Sequence, residues 1–197
     1  DLVRSRGLGD VYKRQVLGAT GRTGRLFTHK ALEGGHTVTA YVRNPDKAHT
    51  LLGAHQNLTI TPGTLDDAER LAAASAGQDV MVSTLGQKAT VREFLHGTFL
   101  QERLPLIMQA VTGAGVKHCV LLSAYGVGDT VRTASLPMRL VCKVIMRGIF
   151  TDKVKADALV AEYQPYISRA HPGRLTDKPG RGAVSYTHLT LPTKRIV

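Results

Sequence analysis

Three glycines at a three-residue spacing are the first residues of this chain whose arrangement could do chemistry. Gly18, Gly21 and Gly24 follow a short apolar segment and lead into a stretch with helical patterning. A strand, a glycine loop and a helix suit a dinucleotide, because the glycines permit a tight turn and a close approach to the pyrophosphate. The free amides at the helix start favour negative phosphates. We predict a dinucleotide-binding loop here, to which three side chains can add donors: Thr20, Arg22 and Thr23.

The residue after the second predicted strand indicates which dinucleotide is preferred. Val42 ends that strand and Arg43 follows it. A carboxylate at this place commonly holds the ribose hydroxyls of NAD, whereas an arginine can pair with the 2′-phosphate of NADP. Lys47, one helical turn further on, could assist. The sequence therefore predicts NADP(H) as the preferred cofactor and NAD(H) as the second option, with an ordinary solvated arginine as the alternative interpretation of Arg43.

Strands and helices alternate along the chain around these motifs. Strands are predicted at 15–17, 37–42, 58–61, 80–82, 118–122 and 166–170. Helices are predicted at 24–33, from Pro45 with Asn44 as cap, from an Asp66 cap to about residue 76, and at 94–114, 136–149 and 151–163, with Pro105 kinking or restarting the fourth. Apolar strands alternating with helices favour a parallel sheet covered on both faces. The predicted fold is a single-domain, Rossmann-like, doubly wound α/β sheet.

Composition excludes several other classes of protein. The net charge is +11, but no run of Lys and Arg is interleaved with aromatic residues, so we expect no nucleic-acid partner. Cys119 and Cys142 lack metal-ligand spacing, and the eight histidines form no HExxH pattern, so no metal site is expected. Both cysteines suggest buried thiols in a reducing compartment, which predicts a cytoplasmic protein. No apolar run reaches the length of a membrane span, and without a GxSxG elbow hydrolase chemistry is not expected.

The two ends of the chain differ in character from the rest. Residues 1–14 and 184–197 carry no helical or strand period and resemble translated sequencing adapter, so we expect a non-native leader and tail. Natural disordered tails are the alternative. The predicted NAD(P)-binding domain is therefore 15–183, and it is expected to be incomplete at its C-terminal end.

Taken together, the motifs resemble the atypical short-chain dehydrogenase/reductase superfamily, and most nearly its NAD(P)H-binding, NmrA-like and biliverdin/flavin-reductase-like branch. The resemblance rests on residues 16–24 and 42–47, and four further segments agree with it: 83–86, 121–126, 151–153 and 171–177. It implies that Leu85 and Gly86 pass beside the cofactor and that Ser123 lies near the nicotinamide. It also implies that Thr64 contacts the adenine region.

Three departures from that family's pattern bear on catalysis. Conventional members place a tyrosine four residues before an active-site lysine; if Lys153 is that lysine, the tyrosine position holds Ile149. The acidic residue expected after strand three is replaced by Thr64, unless Asp66 substitutes for it. His171 stands where an arginine usually precedes the Pro-Gly turn, and a structural histidine is the simpler interpretation. The candidate catalytic residues are Ser123, Tyr125 and Lys153, each with a plain structural alternative.

Two functions of different class follow from these residues. The first is an NADPH-dependent reductase of a small carbonyl, quinone, or tetrapyrrole- or flavin-like substrate. The basic amphipathic helix predicted at 136–150 would cover its pocket or the edge of the fold, with contact to a membrane surface or a partner as the alternative. The second is a non-catalytic NADP(H) sensor that acts through a protein partner, which the loss of the tyrosine would favour. An extended epimerase or dehydratase is a third, weaker option, because the chain leaves little room for a substrate domain.

Overall fold

Short runs of aliphatic and β-branched residues form the strands, as a sheet covered on both faces requires. The computed structural model of the protein describes residues 12–86, 90–124, 147–160, 163 and 166–172. Within these residues there are six strands: β1 (Lys13–Leu17), β2 (Thr37–Val42), β3 (Leu58–Pro62), β4 (Val80–Ser83), β5 (His118–Leu122) and β6 (Ile167–Ala170).

All the strand pairings are parallel, and the strand order is β3-β2-β1-β4-β5-β6. The order reverses between β1 and β4, and in such sheets the carboxyl ends of these two strands flank the crevice that receives a dinucleotide. Leu17 lies opposite Tyr41 of β2 and Ser83 of β4, and Ser83 lies opposite Leu121 of β5. The predicted Rossmann-like, doubly wound sheet is confirmed.

Helices connect the strands and cover both faces of the sheet. In the described residues they are α1 (Arg22–Glu33), α2 (Pro45–Leu52), α3 (Ala68–Ser75), α4 (Val91–His96), α5 (Phe99–Gly113) and α6 (Arg147–Leu159). The predicted start of α2 is confirmed, since Pro45 is its first residue and Asn44 Oδ1 accepts a hydrogen bond from Lys47 N at 2.8 Å. Consecutive residues of β1 serve opposite faces: Val16 packs toward α1 and α2, and Leu17 packs toward α3, α5 and α6.

Several predicted boundaries were wrong. Asp67, not Asp66, caps α3, and its carboxylate accepts from Arg70 N at 2.9 Å. Pro105 lies inside α5, and the helical segment is interrupted at Gly97 and Thr98 instead. The reason is a buried carboxylate from a distant part of the chain, Asp152, which accepts hydrogen bonds from backbone amides in the first turn of α5.

Boundaries at the two ends of the fold also moved. β1 begins at Lys13, two residues before its predicted start, so the predicted leader 1–14 overlaps this strand. The predicted break near residue 150 is absent because α6 runs continuously through it. The rest of the predicted helix at 136–149 and the tail at 184–197 lie outside the described residues.

Two further expectations concern the cysteines and the length of the helices. Cys119 is a fully buried free cysteine, and burial raises the pKa of its thiol to about 12, which keeps it protonated; Cys142 lies outside the described residues. In the described part of the chain, no helix combines the length and apolarity needed to cross a bilayer.

Candidate functional site

The glycine loop is a tight backbone turn that leaves no space for side chains at two positions. Gly18 has a φ of +82°, in the left-handed region, and a Cβ there would lie 2.9 Å from Thr84 Oγ1. A Cβ on Gly24 would overlap the carbonyl oxygen of Gly18 and lie 2.6 Å from the same hydroxyl. Gly21 N donates to Gly18 O at 2.9 Å, which closes the turn. This backbone therefore requires glycine at both ends of the motif.

Thr84 joins the end of β4 to the loop, a contact that the sequence analysis missed. Its backbone N donates to Leu17 O at 2.9 Å, and its Oγ1 lies 3.0 Å from Leu17 O and 3.2 Å from Gly18 O. The two oxygens share one hydroxyl proton, so the threonine holds the point where β1 becomes the loop. A hydroxyl just after β4 was the available signal, because β4 is the neighbour of β1 in this strand order.

The amino end of α1 has no side-chain cap and no acidic residue. Gly21 is its N-cap and supplies no side-chain hydrogen bond, and the first turn contains no acidic residue. Its leading amides and the positive end of the helix dipole therefore face the loop without a competing carboxylate. Thr20 and Thr23 are partly buried beside it, and Arg22 is exposed. The arrangement fits a pyrophosphate group.

Arg43 and Lys47 stand on the far side of the crevice, beyond the end of β2. Both side chains are exposed, and Arg43 has no hydrogen bond or ion pair with another residue of the described part of the chain. Its strand neighbours β1 directly, so Arg43 lies at the same edge of the sheet as the glycine loop. The guanidinium is thus available to an external anion.

The loop after β3 is held by two contacts. Tyr41 Oη donates to the backbone oxygen of Thr64 at 2.9 Å, and its ring fills the space that a Cβ on Gly63 would take. The Thr64 side chain is exposed. Asp66, the suggested substitute for the acidic residue expected after strand three, forms an ion pair with Arg103 of α5 at 3.2 Å.

A second feature, which we call the reactive cleft, opens at the carboxyl ends of β4 and β5. Its empty space is about 300 Å³, including the part open to solvent. The cleft is lined by aliphatic side chains and four polar residues: Leu85, Leu100, Leu104, Leu121, Leu122 and Ala156, with Ser83, Ser123, Lys153 and Asp157. Three predicted site residues, Leu85, Ser123 and Lys153, therefore meet in one place, whereas Gly86 is exposed next to it. Tyr125 lies outside the described residues.

Ser123 carries the unsatisfied polar atom of the cleft. Its backbone N donates to Ala170 O at 2.8 Å, which fixes the residue against β6. Its Oγ is buried and has no hydrogen-bond partner among the described residues. Buried hydroxyls are normally paired, so an orphan at a cleft wall fits a ligand atom. With the glycine cradle, this hydroxyl makes the site a fit for a nicotinamide dinucleotide.

Lys153 brings a cation into this mostly apolar cleft. Burial lowers the pKa of Lys153, and the carboxylates of Asp157 and Asp152 act in the opposite direction. Ile149 lies one helical turn earlier on α6 and is partly buried. Ile149 can neither donate nor accept a proton, whereas Lys153, which lines the cleft, carries an ionisable ammonium group.

Two acidic residues of α6 were missed as organising groups. Asp152 is fully buried, and its two oxygens accept from Leu100 N at 2.9 Å and Gln101 N at 2.8 Å. Asp157 lies 3.5 Å from Arg169 Nε and 3.9 Å from His171 Nε2. The sequence showed only that two aspartates lie in the predicted helix at 151–163, and it gave no sign of their partners. Within the described residues, no three His, Cys, Asp or Glu side chains are grouped to hold a metal ion.

The fold and this crevice define a Rossmann-like dinucleotide-binding protein. The profile of the family described as NAD(P)H-binding matches residues 18–195, which is most of the chain. The chain belongs to that family, and the predicted family and nicotinamide cofactor class are confirmed at this level.

Two curated relatives are similar to this chain over only part of their own length. The chain is 37% identical over 76 residues to a probable pinoresinol-lariciresinol reductase of Arabidopsis thaliana, a match covering 37% of the chain and 24% of the relative. It is 32% identical over 108 residues to the photosystem II assembly factor Ycf39 of Synechocystis, covering 55% of the chain and 32% of that protein. The chain thus matches less than a third of either relative.

Solved structures share the fold at low sequence identity. The oxidoreductase ylbE of Lactococcus lactis has a TM-score of 0.70 at 20% identity, covering 86% of this chain and 73% of that one. ChuY, an anaerobilin reductase of Escherichia coli, has a TM-score of 0.66 at 22% identity, covering 86% and 77%. A short-chain dehydrogenase/reductase of Veillonella parvula in complex with NADP has a TM-score of 0.66 at 14% identity, covering 82% and 69%. These TM-scores show that the chain shares the Rossmann-like fold of those proteins.

Proposed function

We propose that the protein is an NADPH-dependent reductase of a small, largely apolar substrate that carries a carbonyl, as ketones, quinones, and tetrapyrrole- or flavin-like rings do. The observation that carries the proposal is the orphan Ser123 hydroxyl in the same aliphatic cleft as Lys153. A hydroxyl donor and an ammonium group in apolar surroundings suit an oxygen that gains negative charge during reduction. The cleft lies at the edge of the sheet that also carries the glycine loop, where a dinucleotide binds in this strand order.

The cofactor, when bound, supplies the hydride. The chain's residues then have separate tasks. The amides of the glycine loop and of the first turn of α1 bind the pyrophosphate, and Arg43 with Lys47 pairs with the 2′-phosphate. Thr64 borders the adenine side, and Leu85 and Gly86 border the nicotinamide side.

At the reactive end, Ser123 Oγ donates a hydrogen bond to the substrate oxygen. The surrounding leucines exclude water, which strengthens the interaction of that oxygen with Lys153. Ser123 and Lys153 are thus the proposed catalytic residues in the described part of the chain, with Tyr125 as a further candidate beyond it.

The names of similar proteins support this proposal. One curated relative is named a probable reductase, one structural neighbour is an anaerobilin reductase, and another was solved with NADP. A buried free thiol at Cys119 suits the reducing cytoplasm, which we propose as the compartment.

Titration of the wild-type protein with NADPH and NADH tests the cofactor assignment. Loss of one charge-assisted contact costs about 2 kcal/mol, so we expect NADPH to bind at least about tenfold more tightly than NADH. Arg43→Asp should remove this preference because a carboxylate repels the 2′-phosphate. Lys30→Asp, an equal charge reversal at an exposed position near the end of α1, should keep it. Equal binding of both cofactors by the wild type would contradict the assignment.

A second candidate is a non-catalytic NADP(H) sensor that acts through a protein partner. Ile149 at the tyrosine position favours it, and one curated relative is named as a photosystem II assembly factor. A sensor predicts NADPH binding without NADPH oxidation in the presence of quinones, flavins and carbonyls. Oxidation at rates that depend on Ser123 would exclude it.

A further inference from the structure

A charged cluster lies at the wall of the reactive cleft, centred on the carboxylate of Asp157. Resting on the proposed reductase function, we infer that Asp157 is a positioning residue that keeps Lys153 protonated at the cleft, so that Lys153 supplies the proton that a tyrosine would otherwise give. Arg169 and His171 of the β6 edge hold Asp157 from the other side and limit how much of its charge Lys153 receives.

The geometry places Asp157 between the cleft and the β6 edge. It lies one helical turn after Lys153 on α6, so both side chains share a face, and both line the cleft. Its Oδ1 is 3.5 Å from Arg169 Nε and its Oδ2 is 3.9 Å from His171 Nε2. Arg169 Nη2 also donates to the Asp157 backbone oxygen at 3.1 Å. The three side chains are 18–22% exposed, so solvent screens them only partly.

Asp157 is the carboxylate whose electrostatic effect on Lys153 depends on its other partners. Asp152, the other carboxylate near Lys153, has both oxygens committed to the backbone amides of α5. Among the described residues, the others that line the cleft are serine, leucine and alanine and carry no charge. The proton affinity of Lys153 therefore depends on how the Asp157 charge is divided between Lys153 and its two partners on the β6 side.

The proton transfer balances without any further group. In reduction of a carbonyl, the carbon gains a hydride from the reduced nicotinamide nucleotide and the oxygen takes the π electron pair. The Nζ–H bond of Lys153 then breaks and an O–H bond forms, which leaves a neutral amine. Solvent water returns the proton to Nζ before the next turnover.

Competitive labelling of the full chain with acetic anhydride across pH measures the proton affinity of Lys153 without any cofactor. Mass spectrometry reports each lysine separately, and exposed Lys155 on the same helix is the internal reference for reagent and fold. In Asp157→Asn, the midpoint for Lys153 should fall by about one pH unit, because an opposite charge is lost. In Arg169→Gln it should rise, because Asp157 becomes free to interact with Lys153.

Opposite shifts separate an electrostatic role from simple damage, which would move both variants in the same direction. Identical midpoints in all three proteins, or shifts of the same sign, would overturn the inference. Wherever NADPH is oxidised, the alkaline limb of kcat should follow the labelling midpoint in each variant. Opposite labelling shifts in a protein that binds but never oxidises NADPH would instead contradict the proposed reductase and leave the effect of Asp157 on Lys153 established.

Discussion

The glycine loop and the reactive cleft lie on one edge of the sheet but are built in different ways. The loop is a single stretch of seven residues, 18–24, and its shape depends on one positive φ and on the absence of a Cβ at Gly18 and Gly24. The cleft draws its walls from β4, α5, β5 and α6, which lie up to about seventy residues apart in sequence. The proposed chemistry of the cleft depends on side chains, above all Ser123 and Lys153.

This difference determines how each region can change. Backbone binding of a pyrophosphate tolerates almost any solvent-facing side chain but no added Cβ at the glycines. A cleft made of side chains can be changed by single substitutions. The two regions therefore differ in which sequence changes they can accept.

The largest expected effect comes from adding one methyl group to the loop. In Gly24→Ala the new Cβ would overlap the Gly18 carbonyl oxygen, and strain of this kind costs about 1–3 kcal/mol. Because the turn must open, NADPH affinity should also fall by about 100-fold, measured by fluorescence titration. Gly113→Ala, at the end of α5 where a Cβ meets nothing within 4 Å, is the control and should change neither quantity appreciably. If Gly24→Ala bound NADPH as tightly as the wild type, NADPH binding would not depend on the backbone shape of the glycine loop.

The next effect tests the scaffold of the cleft. Asp152→Ala removes both acceptors from the first turn of α5, and we expect a loss of about 2–3 kcal/mol in the free energy of unfolding, measured with urea. Asp67→Ala removes an exposed cap of α3 and should cost only about 1 kcal/mol. If the two variants lost equal stability, the long-range contact between α6 and α5 would not be an organising contact.

The same contrast explains how far sequence reasoning reached. The bounds of β2 and β5 and the Asn44 cap were predicted correctly. The helix after the glycine loop was predicted from Gly24, but α1 begins two residues earlier, at Arg22. The start of α5 was missed because its cap, Asp152, comes from about fifty residues further along. Thr84 was missed for a similar reason, since its partners lie on β1. Asp157 could not be paired with Arg169 before β6 was known to neighbour β5.

Ser123→Ala separates a functional hydroxyl from a structural one. The Ser123 hydroxyl has no partner among the described residues, so its removal should change the free energy of unfolding by less than about 0.5 kcal/mol. Turnover of NADPH should fall by about tenfold, the value of one hydrogen bond to a charged oxygen. Ser75→Ala is the matched control, because the Ser75 Oγ donates within a buried network with Gln15 Oε1 at 2.9 Å and Leu71 O at 2.7 Å. That variant should lose about 1 kcal/mol in stability and keep its turnover. The reverse pattern would make Ser123 structural.

The smallest expected effect lies away from both regions, at the amino edge of the sheet. Burial and the nearby Arg14 charge lower the pKa of His36, whose Nε2 lies 2.9 Å from Arg14 Nη2 and whose Nδ1 faces Tyr12 N at 3.3 Å. Because the folded pKa is below that of the unfolded chain, the unfolded state takes up a proton first as pH falls below about 6.5. The contribution of His36 to the free energy of unfolding is therefore fully present above that pH and is lost as the pH falls below it.

Between pH 7.5 and 5.5, the Tm of the wild type should fall by about 2 °C more than that of His36→Gln, measured by differential scanning fluorimetry. His49→Gln, at an exposed position on α2, should follow the wild type. If His36→Gln showed the same pH dependence as the wild type, the acid sensitivity would not come from His36. Any acid change in turnover must first be corrected for this loss of folded protein, because only the remainder reports on the cleft.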